Sequence, residues 1–126
     1  MTYRSFYLKT LLLSAVLALP GLALAAEPAM IKRGVLVDHN GMTLYTYAKD
    51  TDGKSMCNDE CAKYWPPLKA ESTDTGEGKW STIIRDDQQV QWAYKGKPLY
   101  TFVKDKKAGD KRGIGEMGGA WKVAKP

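Results

Sequence analysis

The stretch "GMTLYTYAKD", Gly41–Asp50, returns as "GKPLYTFVKD", Gly96–Asp105, at an offset of 55 residues. Within these stretches, LYTYAKD and LYTFVKD are identical at five of seven positions. Self-similarity at a fixed period is the signature of a repeat architecture. We therefore predict a single domain over residues 26–126 that contains two repeats of about 50 residues. The repeats span about residues 34–70 and 89–126 and are joined by a polar loop.

The repeated stretch has the alternation of a β-strand. In the first copy Leu44 and Thr46 fall on one face, Tyr45 and Tyr47 fall on the other, and the run is rich in aromatic and β-branched residues. The second copy follows the same pattern, with Tyr100 in the place of Tyr45. We expect the aromatic face to pack inward and the face with Thr46 to be partly covered.

Three turn signals separate the strand-like runs. Asn40-Gly41 is the strongest, because both residues tolerate positive φ. Lys95-Gly96 repeats this arrangement in the second copy, and a third hairpin is expected to turn at Asp86-Asp87. The run "GAWKVA", residues 119–124, supplies a final strand.

One helix is expected, over "NDECAKYW" at residues 58–65. Asn58 or Asp59 caps it in this interpretation, and Pro66 ends it. The fold class that follows is mainly β. It is a small antiparallel β domain built from two repeats of β-hairpins, with one short helix after the first repeat strand.

The N-terminal stretch has the organisation of a secretory signal peptide. Arg4 and Lys9 charge its beginning, Leu11–Leu19 is a short apolar core, and Ala23-Leu24-Ala25 is a cleavage pattern. Pro20 interrupts the apolar run, which disfavours a membrane span. We predict that residues 1–25 are removed and that a soluble protein remains in the periplasm or outside the cell. No cysteine follows the apolar core to accept a lipid.

The charge balance gives no reason to expect a nucleic-acid partner. Without residues 1–25 the chain has 17 basic and 14 acidic residues, a net charge of +3. The densest basic run, Lys104–Arg112, is interrupted by two aspartates and is interpreted as a solvated loop. A surface patch for an anion or a membrane is the alternative interpretation of this run.

Each repeat strand ends in a motif of two aromatic residues and an aspartate, formed by Tyr45, Tyr47 and Asp50 and again by Tyr100, Phe102 and Asp105. This Tyr-x-aromatic-x-x-Asp pattern resembles the signature of a bacterial family described as secreted repeats of unknown function, or as predicted lipoproteins. A second segment is similar to the other recurrent part of the family pattern, and it contains Cys57, Cys61, Trp65, Pro66 and Pro67. The resemblance implies a secreted location and a repeat, but no activity.

The motif residues have structural interpretations as well as functional ones. We expect Asp50 and Asp105 to accept backbone N–H bonds in the turns that follow the strands. We expect the aromatic residues to form the core of the domain, namely Tyr45, Tyr47, Trp65, Trp92, Tyr100, Phe102 and Trp121. A stacking groove for a sugar or a peptidoglycan fragment is the functional alternative for the same set.

Cys57 and Cys61 favour a structural disulfide, because paired cysteines outside the cytoplasm usually oxidise. Two cysteines four residues apart inside one helix are too distant for a bridge, so Cys57 must precede the helix. The alternative is a soft-metal site for copper, with thiolates from both cysteines and a third ligand from His39, Met42 or Met56.

The sequence therefore favours a secreted, periplasmic binding or structural module that recognises an envelope component or a protein partner. No catalytic residue and no cofactor is assigned in this interpretation. The alternative function is a copper-binding or thiol-redox periplasmic protein that uses Cys57 and Cys61.

Overall fold

The computed structural model of the protein describes residues 27–126, so the predicted signal peptide lies outside the described residues. The described strands and helices are, in chain order, β1 (Met30–Lys32), β2 (Val35–Val37), β3 (Tyr45–Tyr47), α1 (Glu60–Tyr64), β4 (Trp80–Ile84), β5 (Val90–Tyr94), β6 (Lys97–Pro98), α2 (Glu116–Gly119) and β7 (Trp121–Val123). The strands form the antiparallel sheets β1-β2, β3-β7 and β4-β5-β6. The mainly β fold class is confirmed. In the part of the chain described here, no helix is long and apolar enough to cross a membrane.

The predicted turns connect these strands. Lys95 and Gly96, with φ of 51° and 81°, join β5 to β6. Gly41 has a φ of 84° in the turn between Val37 and Thr43, and the carboxylate of Asp38 accepts two backbone N–H bonds there. The sequence did not indicate the β1-β2 hairpin, whose turn at Arg33-Gly34 has φ values of 51° and 80°.

The two repeats are joined at their signature stretches. The backbone N–H of Tyr45 donates to the Tyr100 carbonyl at 2.8 Å, and the N–H of Tyr100 donates back at 3.0 Å. On its other side β3 pairs with β7, which comes from the end of the second repeat. Conversely, Pro66–Leu68 from the end of the first repeat pairs with Leu99–Thr101 of the second, through N–H···O bonds of 2.9 Å. The two repeats therefore exchange their last strand segments.

Two cores lie on opposite sides of the signature strands. The aromatic core contains Tyr45, Cys57, Trp65, Tyr100, Phe102 and Trp121. The aliphatic core contains Ala29, Leu36, Leu44, Leu99 and Ala124. The inward packing of the aromatic face is confirmed. Thr46 is half-buried, as expected for its face of the strand. Leu44 on the same face is fully buried because it packs in the aliphatic core.

The aromatic core is organised around a stack of four rings. Trp65 lies between Trp121 and Phe102, with centroid distances of 3.8 and 4.0 Å, and Tyr47 stacks on the far side of Trp121 at 4.3 Å. Trp92 was expected in this core but is half-buried on the β4-β5-β6 sheet, where it meets Trp80 edge to face at 6.1 Å. The reason is strand alternation, because the neighbours of Trp92 on β5 take the inward positions.

The basic run Lys104–Arg112 is a loop, as predicted, and its aspartates organise it. Asp110 accepts the backbone N–H groups of Lys106 and Lys107 and the ammonium of Lys107. These bonds lower the pKa of Asp110 to about 2, and the bond from the backbone of Lys106 makes the largest contribution. Asp110 is therefore ionised at neutral pH and accepts hydrogen bonds from within the loop.

Candidate functional site

The signature tyrosines bond to aspartates of the opposite repeat. Tyr45 donates its hydroxyl to Asp105 at 2.7 Å, and Tyr100 donates to Asp50 at 2.6 Å. The second oxygen of each carboxylate accepts a backbone N–H, from Met56 for Asp50. The corresponding donor for Asp105 is the N–H of Arg112. The predicted turn-capping role of both aspartates is confirmed, and the tyrosine bonds add a connection between the repeats.

A buried arginine extends this arrangement on the side of Asp50. Arg85 is 2% exposed, and its guanidinium donates to Ser55, Gln91 and the carbonyl of Cys57 at 2.8 to 3.0 Å. The hydroxyl of Ser55 also lies 2.7 Å from that of Tyr100. Sequence reasoning missed Arg85 because a charge beside a turn is usually solvated. Its alternation with the buried Ile83 was the available signal.

We expect Tyr100→Phe to lower the free energy of unfolding by about 1 to 3 kcal/mol. The change leaves the half-buried carboxylate of Asp50 and the buried hydroxyl of Ser55 without the hydroxyl that they share. Urea unfolding of the variant measures the loss. Tyr64→Phe is the control, because Tyr64 is 47% exposed, and it should have little effect. Equal stabilities of the two variants would contradict the prediction.

Burial also changes the ionisation of the two tyrosines. Burial, and then the hydrogen bond to the aspartate, raises the pKa of Tyr45 and of Tyr100 well above the usual 10. A raised pKa stabilises the folded state fully below the unfolded pKa near 10, and this stabilisation is lost as the pH rises toward the folded pKa. Burial raises the pKa of Asp50 as well.

An alkaline titration followed by phenolate absorbance should therefore show that the two signature tyrosines resist ionisation. We expect Tyr45 and Tyr100 to stay protonated above pH 10 until the protein unfolds. Circular dichroism on the same samples reports unfolding. Ionisation of all tyrosines in one step before unfolding would be inconsistent with the buried bonds.

The two cysteines form the predicted disulfide. Their sulfurs are bonded at 2.04 Å with Cα atoms 5.2 Å apart. Cys57 is fully buried and precedes α1, as the geometric argument required, and Cys61 lies within α1. Asp59 occupies the N-cap position but makes no side-chain capping bond. The bridge therefore connects the aromatic core to the helix.

The residues considered as further copper ligands have other surroundings. His39 Nε2 lies 2.7 Å from the carbonyl oxygen of Glu27, and Met56 is 49% exposed. Met42 lies in the turn organised by Asp38. Within residues 27–126, no group of three or more His, Cys, Asp or Glu side chains is arranged to hold a metal. Thiolate ligation of copper would first require reduction of the disulfide.

Reduction of the disulfide should lower the free energy of unfolding by about 2 kcal/mol, because the bridge closes a short loop. Urea unfolding with and without a reductant measures the difference. The double variant Cys57→Ala and Cys61→Ala is the control, since its stability should not respond to the reductant. An unchanged midpoint for the wild-type protein would refute a stabilising role.

An open groove of about 840 Å³ lies beside β6, β7 and the glycine-rich loop before β7. Its apolar lining includes Val35, Leu99, Ile114, Val123 and Ala124. Its charged lining consists of Lys95, Lys97, Lys111, Lys122 and Lys125. We call this feature the lysine groove. Sequence reasoning missed it because its residues come from several separate segments.

A family model that matches both repeats identifies the family of this chain. A model for a family described as a secreted repeat of unknown function matches residues 32–69 and 81–125. The chain belongs to this family of secreted repeats. The resemblance stated from the signature residues is thus confirmed. No curated protein and no solved structure matches the chain significantly.

In this secreted repeat the signature residues are structural. Tyr45, Tyr100 and Asp105 are buried and connect the two copies. Trp65 packs in the aromatic core, and the lysine groove lies outside the signature positions. The signature residues of this chain therefore form its scaffold, and the groove is lined by other residues.

Proposed function

We propose that this secreted repeat protein is a non-catalytic binding module of the periplasm that recognises an envelope component through the lysine groove. The observation that carries the proposal is the groove itself. Its volume of about 840 Å³ lies within the range of about 300 to 1,000 Å³ typical of small-molecule sites. Its lining combines apolar side chains with a few charged groups, as such sites usually do.

The packing beneath the groove supports a preformed site. Leu99 and Ala124 belong to the aliphatic core, and Trp121 of the lining belongs to the aromatic core. All three are at least 95% buried, so their positions are fixed by packing on both sides. A site that is ordered before binding loses less conformational entropy when the ligand arrives.

Binding of a neutral fluorescent probe, N-phenyl-1-naphthylamine, tests the proposal. We expect a saturable rise in fluorescence with one site per chain. Ile114, which lines the groove and is 59% exposed, provides the variant Ile114→Asn. Its dissociation constant should rise about tenfold, which corresponds to roughly 50 Å² of lost apolar contact.

Ile84→Asn is the matched control. Ile84 is 71% exposed on β4 and does not line the groove, so its loss should leave probe binding unchanged. Absence of saturable binding, or an equal loss in both variants, would overturn the proposal. Urea unfolding of both variants checks that the scaffold is intact.

A further inference from the structure

We infer that the lysine groove binds a single anionic lipid-like molecule, with its acyl chain on the apolar lining and its phosphate or carboxylate among the lysines. The inference rests on the proposed function and names the ligand class for the same groove. It commits to one molecule free in solution, because the groove is concave and has the size of a small-molecule site.

The charge of the groove points to an anionic head group. Five lysines line it, and no acidic side chain does among the described residues. None of these lysines forms an ion pair within the described part of the chain. The chain after residue 25 has a net charge of only +3, so positive charge is concentrated at this site. Such concentration attracts an anion and favours it over a neutral ligand with the same apolar chain.

Three of the five lysines are specific to the second repeat, whereas Lys125 aligns with Lys69 of the first. At the equivalent positions of the first repeat, Met42 stands for Lys97 and Pro66 stands for Lys122. The position of Lys111 corresponds to Met56. Because the first repeat forms the same backbone pairings without these charges, the fold does not require them. The fold therefore does not explain these three charges, and anion binding is the functional role that we infer for them.

The apolar lining favours an acyl chain. Ile114 is 59% exposed and Val123 is half-buried, while Ala124 is buried in the lining. Two aromatic residues also line the groove: Trp121 is fully buried, and the half-buried Tyr94 packs against Trp80 at a centroid distance of 4.8 Å. Lysine side chains suit this arrangement because their stems cover apolar surface while the ammonium groups remain in water.

Competition against bound N-phenyl-1-naphthylamine tests the inference. The competitors share one chain and differ in the head group: dodecyl phosphate, dodecylphosphocholine and dodecyl maltoside, each below its micelle concentration. Dodecyl phosphate should displace the probe at about one tenth of the concentration of the others, as two or three exposed charge contacts allow. The advantage should shrink with added salt, which screens exposed charges.

Charge-neutralising variants locate the effect. The variant Lys97→Gln, Lys111→Gln and Lys122→Gln takes one lysine from each of three lining segments. The control variant Lys49→Gln, Lys63→Gln and Lys104→Gln removes the same charge from exposed positions outside the groove. We expect the preference for dodecyl phosphate to be lost in the first variant and kept in the second.

The possible results separate the inference from the proposed function. Equal displacement by all three competitors would overturn the anionic ligand while leaving the groove a binding site. Equal loss in both triple variants would overturn the inference in favour of a general charge effect. Sedimentation with phosphatidylglycerol vesicles, without binding of monomeric dodecyl phosphate, would replace it with a membrane-surface contact. Failure of the probe itself to bind would overturn the proposed function.

Discussion

Neither repeat is expected to fold alone when the chain is divided in the loop at residues 71–78. The fragments 26–74 and 75–126 should each lack cooperative unfolding, because each would lose the strand segment that the other supplies. The first would lack β7 opposite β3, and the second would lack Pro66–Leu68 opposite Leu99–Thr101. Both would also lose the tyrosine–aspartate bonds.

Circular dichroism and urea unfolding of the separate and mixed fragments measure this effect. Mixing should restore a cooperative transition, since the exposed loop contributes little to either core. A full chain cleaved at a protease site inserted in the same loop is the control, and it should stay folded. A cooperative transition in the isolated fragment 75–126 would show that the exchange is dispensable.

Trp65→Ala should lower the free energy of unfolding by about 3 to 5 kcal/mol. Trp65 is 4% exposed and lies inside the four-ring stack, so its removal leaves a cavity between Trp121 and Phe102. Tyr45 would also lose its edge-to-face contact with Trp65 at 5.3 Å. Because a domain of this size is stable by about 5 to 15 kcal/mol, the variant loses a large share of its stability.

Trp92→Ala is the matched control for this variant. It removes the same side chain from a half-buried place on the sheet, where Trp92 meets Trp80 edge to face. The decrease in the free energy of unfolding should be less than half of the decrease for Trp65→Ala, as measured by urea unfolding. Equal losses would mean that the stack adds nothing beyond ordinary burial.

Local signals predicted the features that depend on neighbouring residues. The Lys95-Gly96 turn, the β character of the signature stretch and the position of Cys57 before α1 followed from φ preferences, alternation and disulfide geometry. The repeat followed from self-similarity. These features need no knowledge of how distant segments meet.

Features formed by distant segments were not accessible in this way. Two similar copies do not reveal whether each last strand pairs within its own copy or with the other, so the exchange at β3 and β7 was not predicted. The burial of Arg85 depends on Ser55 and Gln91, and the lysine groove combines residues from both repeats. Of the residues considered as metal ligands, only Cys57 and Cys61 were predicted to lie together from their spacing in the sequence, and the structure joins them in a disulfide.

The exchanged strands determine when this protein can acquire its native structure. Tyr45 pairs with Val123, 78 residues later in the chain, so β3 stays without its partner until β7 has been synthesised. Contacts at such separation form slowly, because closure of a long loop must precede them. A growing chain therefore cannot complete the pairing of β3 until the end of the second repeat has been synthesised. For a chain that belongs to a family of secreted repeats, we expect completion of the fold to be a late event.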